Sequence, residues 1–365
     1  MKKYQVLVLG GYGFFGSRLV ELLARQPNLH VMVAGRSRPA AQALTARIQP
    51  TAQASLVARD IDIDSATFAG TLYALRPDVV VHTAGPFQGQ NYRVAQECIG
   101  AGAHYIDLAD GREFVAGIGE LDAAARQANV LVTSGASSVP ALSSAAADAL
   151  AAGMDSVARI DVGISPGNRT ERGVATVRAI LGYCGKPIPG GAVGWRGAYA
   201  HDYPSPVGRR LLSPCDVPDL ALLSPRYRGT PEVRFGAGLE LALLHRGMNM
   251  MALLAQAGIV RRWADYAPAL KRMADWFQRF GTDAGAMHVS VAGELAGRSV
   301  TRHWDLVATH GDGPYVPTLA AAALVRRLAT GIPVEPGALP CLGLLALSDF
   351  ELEAAALNIT MRSHA

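Results

Sequence analysis

The strongest constraint on this chain lies in its opening residues. Tyr4-Gln5-Val6-Leu7-Val8-Leu9 is a short run of mostly branched apolar residues, the pattern of a buried parallel strand. Gly10-Gly11-Tyr12-Gly13-Phe14-Phe15-Gly16 follows with no spacer. Ser17 to Arg25 then places Leu19, Leu22 and Leu23 on one helical face, and His30 to Ala34 is a second apolar strand ending at Gly35-Arg36-Ser37-Arg38. Strand, glycine turn, helix, strand commits the beginning of the chain to a parallel α/β unit.

The turn carries chemistry as well as geometry. Glycines let the backbone bend tightly and approach a pyrophosphate, and the free N–H groups at a helix start stabilise its charge. Gly10, Gly11, Gly13, Phe14, Phe15 and Gly16 are therefore candidate cofactor contacts. Two parses fit the run, Gly10-x-x-Gly13-x-x-Gly16 and Gly11-x-Gly13-x-x-Gly16. The end of the second strand sharpens the cofactor. A carboxylate there would bind the ribose hydroxyls of NAD, whereas a guanidinium suits a 2′-phosphate. No carboxylate follows the strand, and Arg36 and Ser37 do, so NADP is preferred over NAD.

The alternation continues. Ser55 to Ala58 reads as a third strand running into Arg59-Asp60-Ile61-Asp62-Ile63-Asp64. Asp62 is expected to take the adenine amino group, with Asp60 in reserve; helix capping by Asp64 or Ser65 is the competing reading. Pro77 to Thr83 is a fourth strand, and Ala84-Gly85-Pro86-Phe87 after it is expected beside the nicotinamide ribose, at the carboxyl edge of the sheet. Helix Tyr92 to Gly100, strand His104 to Leu108, helix Leu121 to Ala128 and strand Val130 to Thr133 complete a doubly wound Rossmann series.

At 365 residues the chain is too long for one ordinary core. Charged residues make up 18% and the net charge is +4, which falls short of a nucleic-acid footprint. Cys98, Cys184, Cys215 and Cys341 form no Cys-x-x-Cys pair and have no histidines at zinc spacing, so no metal site is expected. The chain enters a strand directly, and no segment supplies the ~18 consecutive apolar residues of a membrane span. The expectation is a cytoplasmic protein with a small-molecule substrate and no nucleic-acid partner or membrane span.

Beyond the first series, Val157 to Ile164 alternates as a strand and ends at the polar turn Ser165 to Arg169. Helix Arg172 to Tyr183 follows. Residues 185–228 hold seven prolines and read as a long loop. Strand Glu232 to Ala237, helices Glu240 to Gln256 and Trp263 to Phe280, and a hairpin of Met287 to Leu295 with Ser299 to Thr309 come next. Pro317 to Ala329 is a helix, and Ser348-x-x-Glu351 reads as a capping box for a last one. The fold class is α/β: an N-terminal Rossmann doubly wound parallel sheet and a second α+β domain with a mixed or antiparallel sheet. The expected divisions are 1–143 for nucleotide, 144–312 for substrate and dimer contacts, and 313–365 returning toward the first domain.

Three segments carry a resemblance. Val-Leu-Gly-Gly-Tyr-Gly-Phe-Phe-Gly at 8–16, Ala-Gly-Pro-Phe at 84–87 and His-Tyr-Ile-Asp-Leu at 104–108 resemble the NADP-binding domain of saccharopine dehydrogenase-like proteins. Ser134 to Ser143, with Val139-Pro140-Ala141-Leu142-Ser143, is similar to that family's crossing into its second domain. The resemblance implies NAD(P)-linked chemistry at a secondary-amine C–N bond, and a second domain that carries substrate and subunit contacts, with room for a homodimer. Where the family often has Asp-Leu-x-Gly-Glu, this chain has Asp107-Leu108-Ala109-Asp110-Gly111.

The remaining chemistry is narrowed by absences. Lysine occurs only at Lys2, Lys3, Lys186 and Lys271, none with tyrosine four positions earlier, which excludes a local Tyr-x-x-x-Lys proton relay. His82, on a buried strand, reads as a core residue. Tyr92, Ser137, Ser138, Asn168 and Arg169 are the candidates for substrate contact, and no catalytic residue is assigned. Two alternatives to C–N chemistry stand: an NADPH-dependent reductase of a C=C or C=O bond on an apolar substrate, suggested by the Met-rich helix at 239–254, and a non-catalytic NADPH sensor or scaffold.

Overall fold

A computed structural model describes residues 3–171 and 173–364. In chain order its strands are β1 (Tyr4–Leu9), β2 (Leu29–Gly35), β3 (Ser55–Asp60), β4 (Val79–His82), β5 (His104–Asp107), β6 (Leu131–Ser134), β7 (Ser156–Ser165), β8 (Tyr199–Tyr203), β9 (Gly208–Pro214), β10 (Glu232–Leu239), β11 (Gly285–Leu295), β12 (Arg298–Ala308), β13 (Gly337–Pro340) and β14 (Ile359–His364). They form two seven-stranded sheets, each in its own compact unit.

The first unit holds Met1–Ala141 and Tyr315–Leu345. Its sheet runs β13-β6-β5-β4-β1-β2-β3, and every pairing is parallel. The strands are apolar on both faces because helices cover both: Val6, Leu7 and Val8 of β1 and Val79, Val80 and Val81 of β4 are fully buried. The strand order reverses between β1 and β4, which opens a crevice at their carboxyl ends. Helix Leu319–Ala329 belongs to this unit and packs against helix Phe14–Leu23, with Ala320 to Ala323 wholly buried. Near it the Tyr315 hydroxyl donates to Glu21, which also pairs with Arg47 at 2.7 Å.

The second unit holds Leu142–Pro314 and Ala346–Ala365. Its sheet runs β14-β12-β11-β7-β10-β9-β8 and is mixed: β7 and β10 are parallel, the other pairs antiparallel. One face is apolar, with Ile160 and Val162 of β7, Met287, Val289 and Val291 of β11, and Trp304 and Leu306 of β12, and helix Ser143–Ala151 lies against it. Burying a large apolar side chain contributes roughly 1.5–3 kcal/mol, so this face is what holds the sheet. Ala296 and Gly297, at φ 51° and 73°, join β11 to β12 by the two-residue left-handed turn that the twist of a hairpin favours.

Four sequence expectations change. The proline-rich stretch 185–228 contains the hairpin β8–β9; Pro204 and Pro206 sit in its connection and Pro214 ends β9, positions where a missing N–H costs no ladder bond. The helix expected over Trp263 to Phe280 is a 3-10 turn, Trp263–Tyr266, followed by Ala267–Asp275. The tail does not return as one piece: Tyr315–Leu345 joins the first unit, while the residues from Ala346 join the second and end in β14. Its helix is Leu347–Ala354, with the Ala346 N–H donating to Asp349 Oδ2 at 3.1 Å in place of the Ser348-x-x-Glu351 box. Arg172, the first residue of one predicted helix, lies outside the described residues; Val174–Gly182 is helical.

Among the described residues no helix is long and apolar enough to cross a membrane, and no cluster of His, Cys, Asp or Glu could hold a metal. All four cysteines are buried free thiols.

Candidate nucleotide-binding site

The glycine turn closes on one carbonyl. The Gly13 N–H donates to Gly10 O at 2.8 Å, a Cβ on Gly13 would stand 3.0 Å from that oxygen, and a Cβ on Gly16 would run into it. Gly10 itself has φ 75°, and a Cβ there would lie 2.9 Å from Thr83 Oγ1. Gly10, Gly13 and Gly16 thus form one self-contacting cradle. Gly11 faces the other way and packs on β2, where a Cβ would be 2.9 Å from Val33 Cγ1. Helix Phe14–Leu23 begins at Gly13 without a side-chain cap, so the N–H groups of Phe14, Phe15 and Gly16 keep no partner within the helix. The glycines let the turn close this tightly at the start of the helix, and the uncapped N–H groups there fit the charge of a pyrophosphate.

A cavity of about 400 Å³ opens at the carboxyl ends of β1, β2 and β4. It is lined by Gly10, by Gly35 and Arg36, by Ile61 to Asp64, by Ala84 and Gly85, and by Gly89, Gln90, Asn91, Arg93 and Val94. Five predicted cofactor residues therefore share one cavity: Gly10, Arg36, Asp62, Ala84 and Gly85. Ser37 caps helix Arg38–Ile48, its hydroxyl accepting from the Ala40 N–H at 3.4 Å, while its own N–H donates to the Tyr12 hydroxyl at 2.9 Å. Asp62 accepts from the Asp64 N–H at 3.1 Å and is otherwise exposed. The competing capping reading does not hold: helix Phe68–Leu75 starts at Thr67 with no side-chain cap, and the Ser65 hydroxyl accepts from the Thr67 N–H at 3.1 Å in the turn ahead of it.

Among the lining residues that were not anticipated, two fix the walls by hydrogen bonds. Gln90 Nε2 donates to Ala84 O at 3.2 Å and Pro86 O at 2.7 Å, which fixes the 84–87 turn. Arg93 donates to Ile63 O at 3.0 Å and Ser65 O at 2.8 Å and so ties the loop after β3 to the helix after β4. The only sequence signal for Arg93 was a basic residue in the first turn after a candidate loop. Phe87 turns away from the cavity and is buried against His82 and Phe114, with ring centroids 5.1 and 5.4 Å apart.

Behind the turn lie two buried ionisable groups. His82 is pushed down to about 4 by burial, with Gln90 opposing weakly, so its imidazole is neutral. Asp107, at the end of β5, is raised to about 6 by burial although Oδ1 accepts from Ala109 N–H, Ser134 hydroxyl and Gly135 N–H, each at 2.9 Å. These bonds tie the ends of β5 and β6 together.

The substrate candidates are placed as follows. Tyr92 donates its hydroxyl to Phe114 O at 2.5 Å, and burial raises it to about 12. Ser137 and Ser138 are buried in the kinked segment before helix Ser143–Ala151. In the second unit, Asn168 is buried, donating Nδ2 to Phe277 O and Phe280 O at 2.7 Å and its N–H to Glu240 at 2.6 Å. Arg169 is exposed, and its backbone bonds to Thr282 and Gln278. Tyr92 and Asn168 are thus each engaged within their own unit.

A seven-stranded parallel sheet with its order reversing at β1/β4, a glycine cradle and an open carboxyl-edge cavity define a Rossmann nucleotide-binding protein. Residues 6–149 match the family described as the saccharopine dehydrogenase NADP binding domain. The chain's fold is similar over almost its whole length to that of saccharopine dehydrogenase (L-Glu forming) from Saccharomyces cerevisiae: TM-score 0.66 at 14% identity, covering 99% of each chain. It is also similar to homospermidine synthase from Legionella pneumophila, solved with NAD (TM-score 0.62, 11% identity, 100% of this chain and 92% of that one). Amine dehydrogenase from Mycobacterium smegmatis matches at TM-score 0.50 and 12% identity over 91% and 94%. No curated protein sequence matches the chain. At these identities the structural likenesses speak for the fold.

Proposed function

We propose that the chain is an NADP-dependent oxidoreductase that moves a hydride at a C–N bond, an imine or secondary amine, of a small polar or amino-acid-derived substrate. The observation that carries the cofactor reading is Arg36, exposed at the rim of the cavity where an NAD enzyme would place a carboxylate. In this reading the N–H groups of Phe14, Phe15 and Gly16 hold the pyrophosphate, and Arg36 with Ser37 and the start of helix Arg38–Ile48 holds the 2′-phosphate. Asp62 takes the adenine amino group, and Ala84 and Gly85 flank the nicotinamide ribose. The nicotinamide supplies the hydride chemistry; the protein supplies orientation. An imine protonated in solution needs no strong acid from the chain. That accords with the burial of His82 and Asp107, whose Nδ1 and Oδ1 accept from the Ala84 and Ala109 N–H groups.

C–N chemistry is supported by the family of residues 6–149 and by the fold shared with proteins named saccharopine dehydrogenase, homospermidine synthase and amine dehydrogenase. The test is NADPH oxidation screened against oxo-acid plus amine pairs, enals and ketones. Turnover with the amine pairs is the expected result. Turnover with enals or ketones alone would replace the C–N reading by a C=C or C=O reductase. Cofactor binding with no turnover on any substrate would replace it by a sensor.

A further inference from the structure

The second unit carries apolar surface that its own core does not use. Helix Ala242–Gln256 buries His245 and Ala252 but exposes Leu243, Met250 and Leu253, a stripe at i, i+7 and i+10. The next helical stretch repeats the spacing with Tyr266, Met273 and Trp276, and Phe280 extends it; Trp276 is 77% exposed. Ile259, 69% exposed, lies between them. An amphipathic helix of a globular domain turns such a stripe inward, so eight large apolar side chains facing water in 38 residues mark a surface that something covers.

The charge on the same stretch says what covers it. Residues 242–282 contain six basic side chains and two acidic ones, an excess equal to the +4 of the entire chain. Lys271 and Arg262 pair with Asp275 and Asp265. Arg246, Arg261, Arg272 and Arg279 are exposed, and no acidic partner is described for them. A second copy related by a two-fold axis would set this net-basic face against itself, and that like charge disfavours a self-interface. We propose that this helical face seats on an anionic lipid surface, with Leu253, Trp276 and Phe280 entering the acyl boundary and the arginines at the headgroups. The segment is anchored for such a load. Asn168 holds the carbonyls of Phe277 and Phe280, Glu240 accepts from Thr282 N–H and hydroxyl at 2.9 Å, and the Trp263 indole donates to Met251 O at 2.8 Å.

The test is co-sedimentation of the full chain with vesicles of phosphatidylcholine, and of phosphatidylcholine containing one-third phosphatidylglycerol, read together with tryptophan emission. Trp195 and Trp304 are buried and the Trp263 indole is held by Met251, so Trp276 is the reporter that contact with lipid shifts to the blue. The expected result is binding to the anionic vesicles only, weakened more than about tenfold by raised salt or by R272E with R279E, and abolished by W276E with L253E. All four positions are exposed at the surface, so thermal melts of the variants should match wild type. Equal binding to neutral vesicles would overturn the proposal. No binding to either lipid would overturn it too, and a dimer in sedimentation velocity that W276E dissociates would then name a second copy as the occupant.

Discussion

The ring of Tyr12 lies over Gly35 so closely that a Cβ on the glycine would stand 2.5 Å from Tyr12 Cε1. The Tyr12 hydroxyl then accepts the Ser37 N–H. A residue of the glycine turn thereby fills the end of β2, where an NAD enzyme keeps its carboxylate. Gly35→Asp should therefore not convert the chain to NAD. Displacing Tyr12 should weaken NADPH and NADH alike, by roughly tenfold or more if about one net hydrogen bond is lost with the loop geometry. Fluorescence titration with both cofactors checks this, and a gain in NADH affinity would contradict it.

Arg36→Ala isolates the 2′-phosphate. A charge-assisted hydrogen bond contributes about 1.5–3 kcal/mol, so NADPH affinity should fall about tenfold to a hundredfold while NADH affinity stays within about twofold. Parallel losses, or none, would remove Arg36 from the site.

Gly13→Val tests the cradle. Its Cβ would crowd the Gly10 carbonyl and its branches would project toward the phosphate path, so binding of either cofactor should be lost while far-UV circular dichroism remains native. Ordinary titration curves would show that this turn holds no ligand.

Asp107 gives a pH signature. Its folded value is about 6, against ~4 when exposed, so the folded chain keeps a proton that the unfolded chain releases in that window. Stability from this group is fully present below the unfolded value and is lost as pH rises through about 6. Asp107→Asn keeps an acceptor for Ala109, Ser134 and Gly135 without the charge. Its melting temperature relative to wild type should climb from pH 4.5 to pH 7 and level off above. His82, pushed down to about 4, acts in the opposite sense: its contribution is present above ~6.5 and lost as pH falls toward 4. The paired comparison cancels it, and a flat difference would show that Asp107 ionises normally.

Asn168→Ala separates structure from substrate contact. Losing both donors to Phe277 and Phe280 should cost about 1–3 kcal/mol in denaturant unfolding, with NADPH affinity unchanged. A raised KM with no loss of stability would instead return Asn168 to the substrate.

The nucleotide cradle was legible because local sequence encodes it: apolar run, glycines and helix face are contiguous from Tyr4 to Leu23. Arg36 was legible for the same reason. Gln90 and Arg93 were not, since their roles rest on carbonyls of Ala84, Pro86, Ile63 and Ser65 that only the folded backbone aims at them. The β8–β9 hairpin was hidden by prolines that stand at its turn and end, where sequence alone reads them as breakers. The split of the C-terminal residues was hidden because β13 meets β6 and β14 meets β12 over long sequence separations, and no local pattern names a distant partner.

That split has a consequence for how the molecule is made. β13 extends the nucleotide sheet beside β6, and β14 extends the other sheet beside β12. Neither sheet has all its strands until β13 and β14 have been synthesised, so the first unit must wait, with one edge of β6 unpaired, while the whole of residues 142–314 is made. A recombinant fragment ending near residue 149 would keep every glycine of the cradle. It would also carry a bare parallel edge and the uncovered side of helix Phe14–Leu23, an invitation to aggregate.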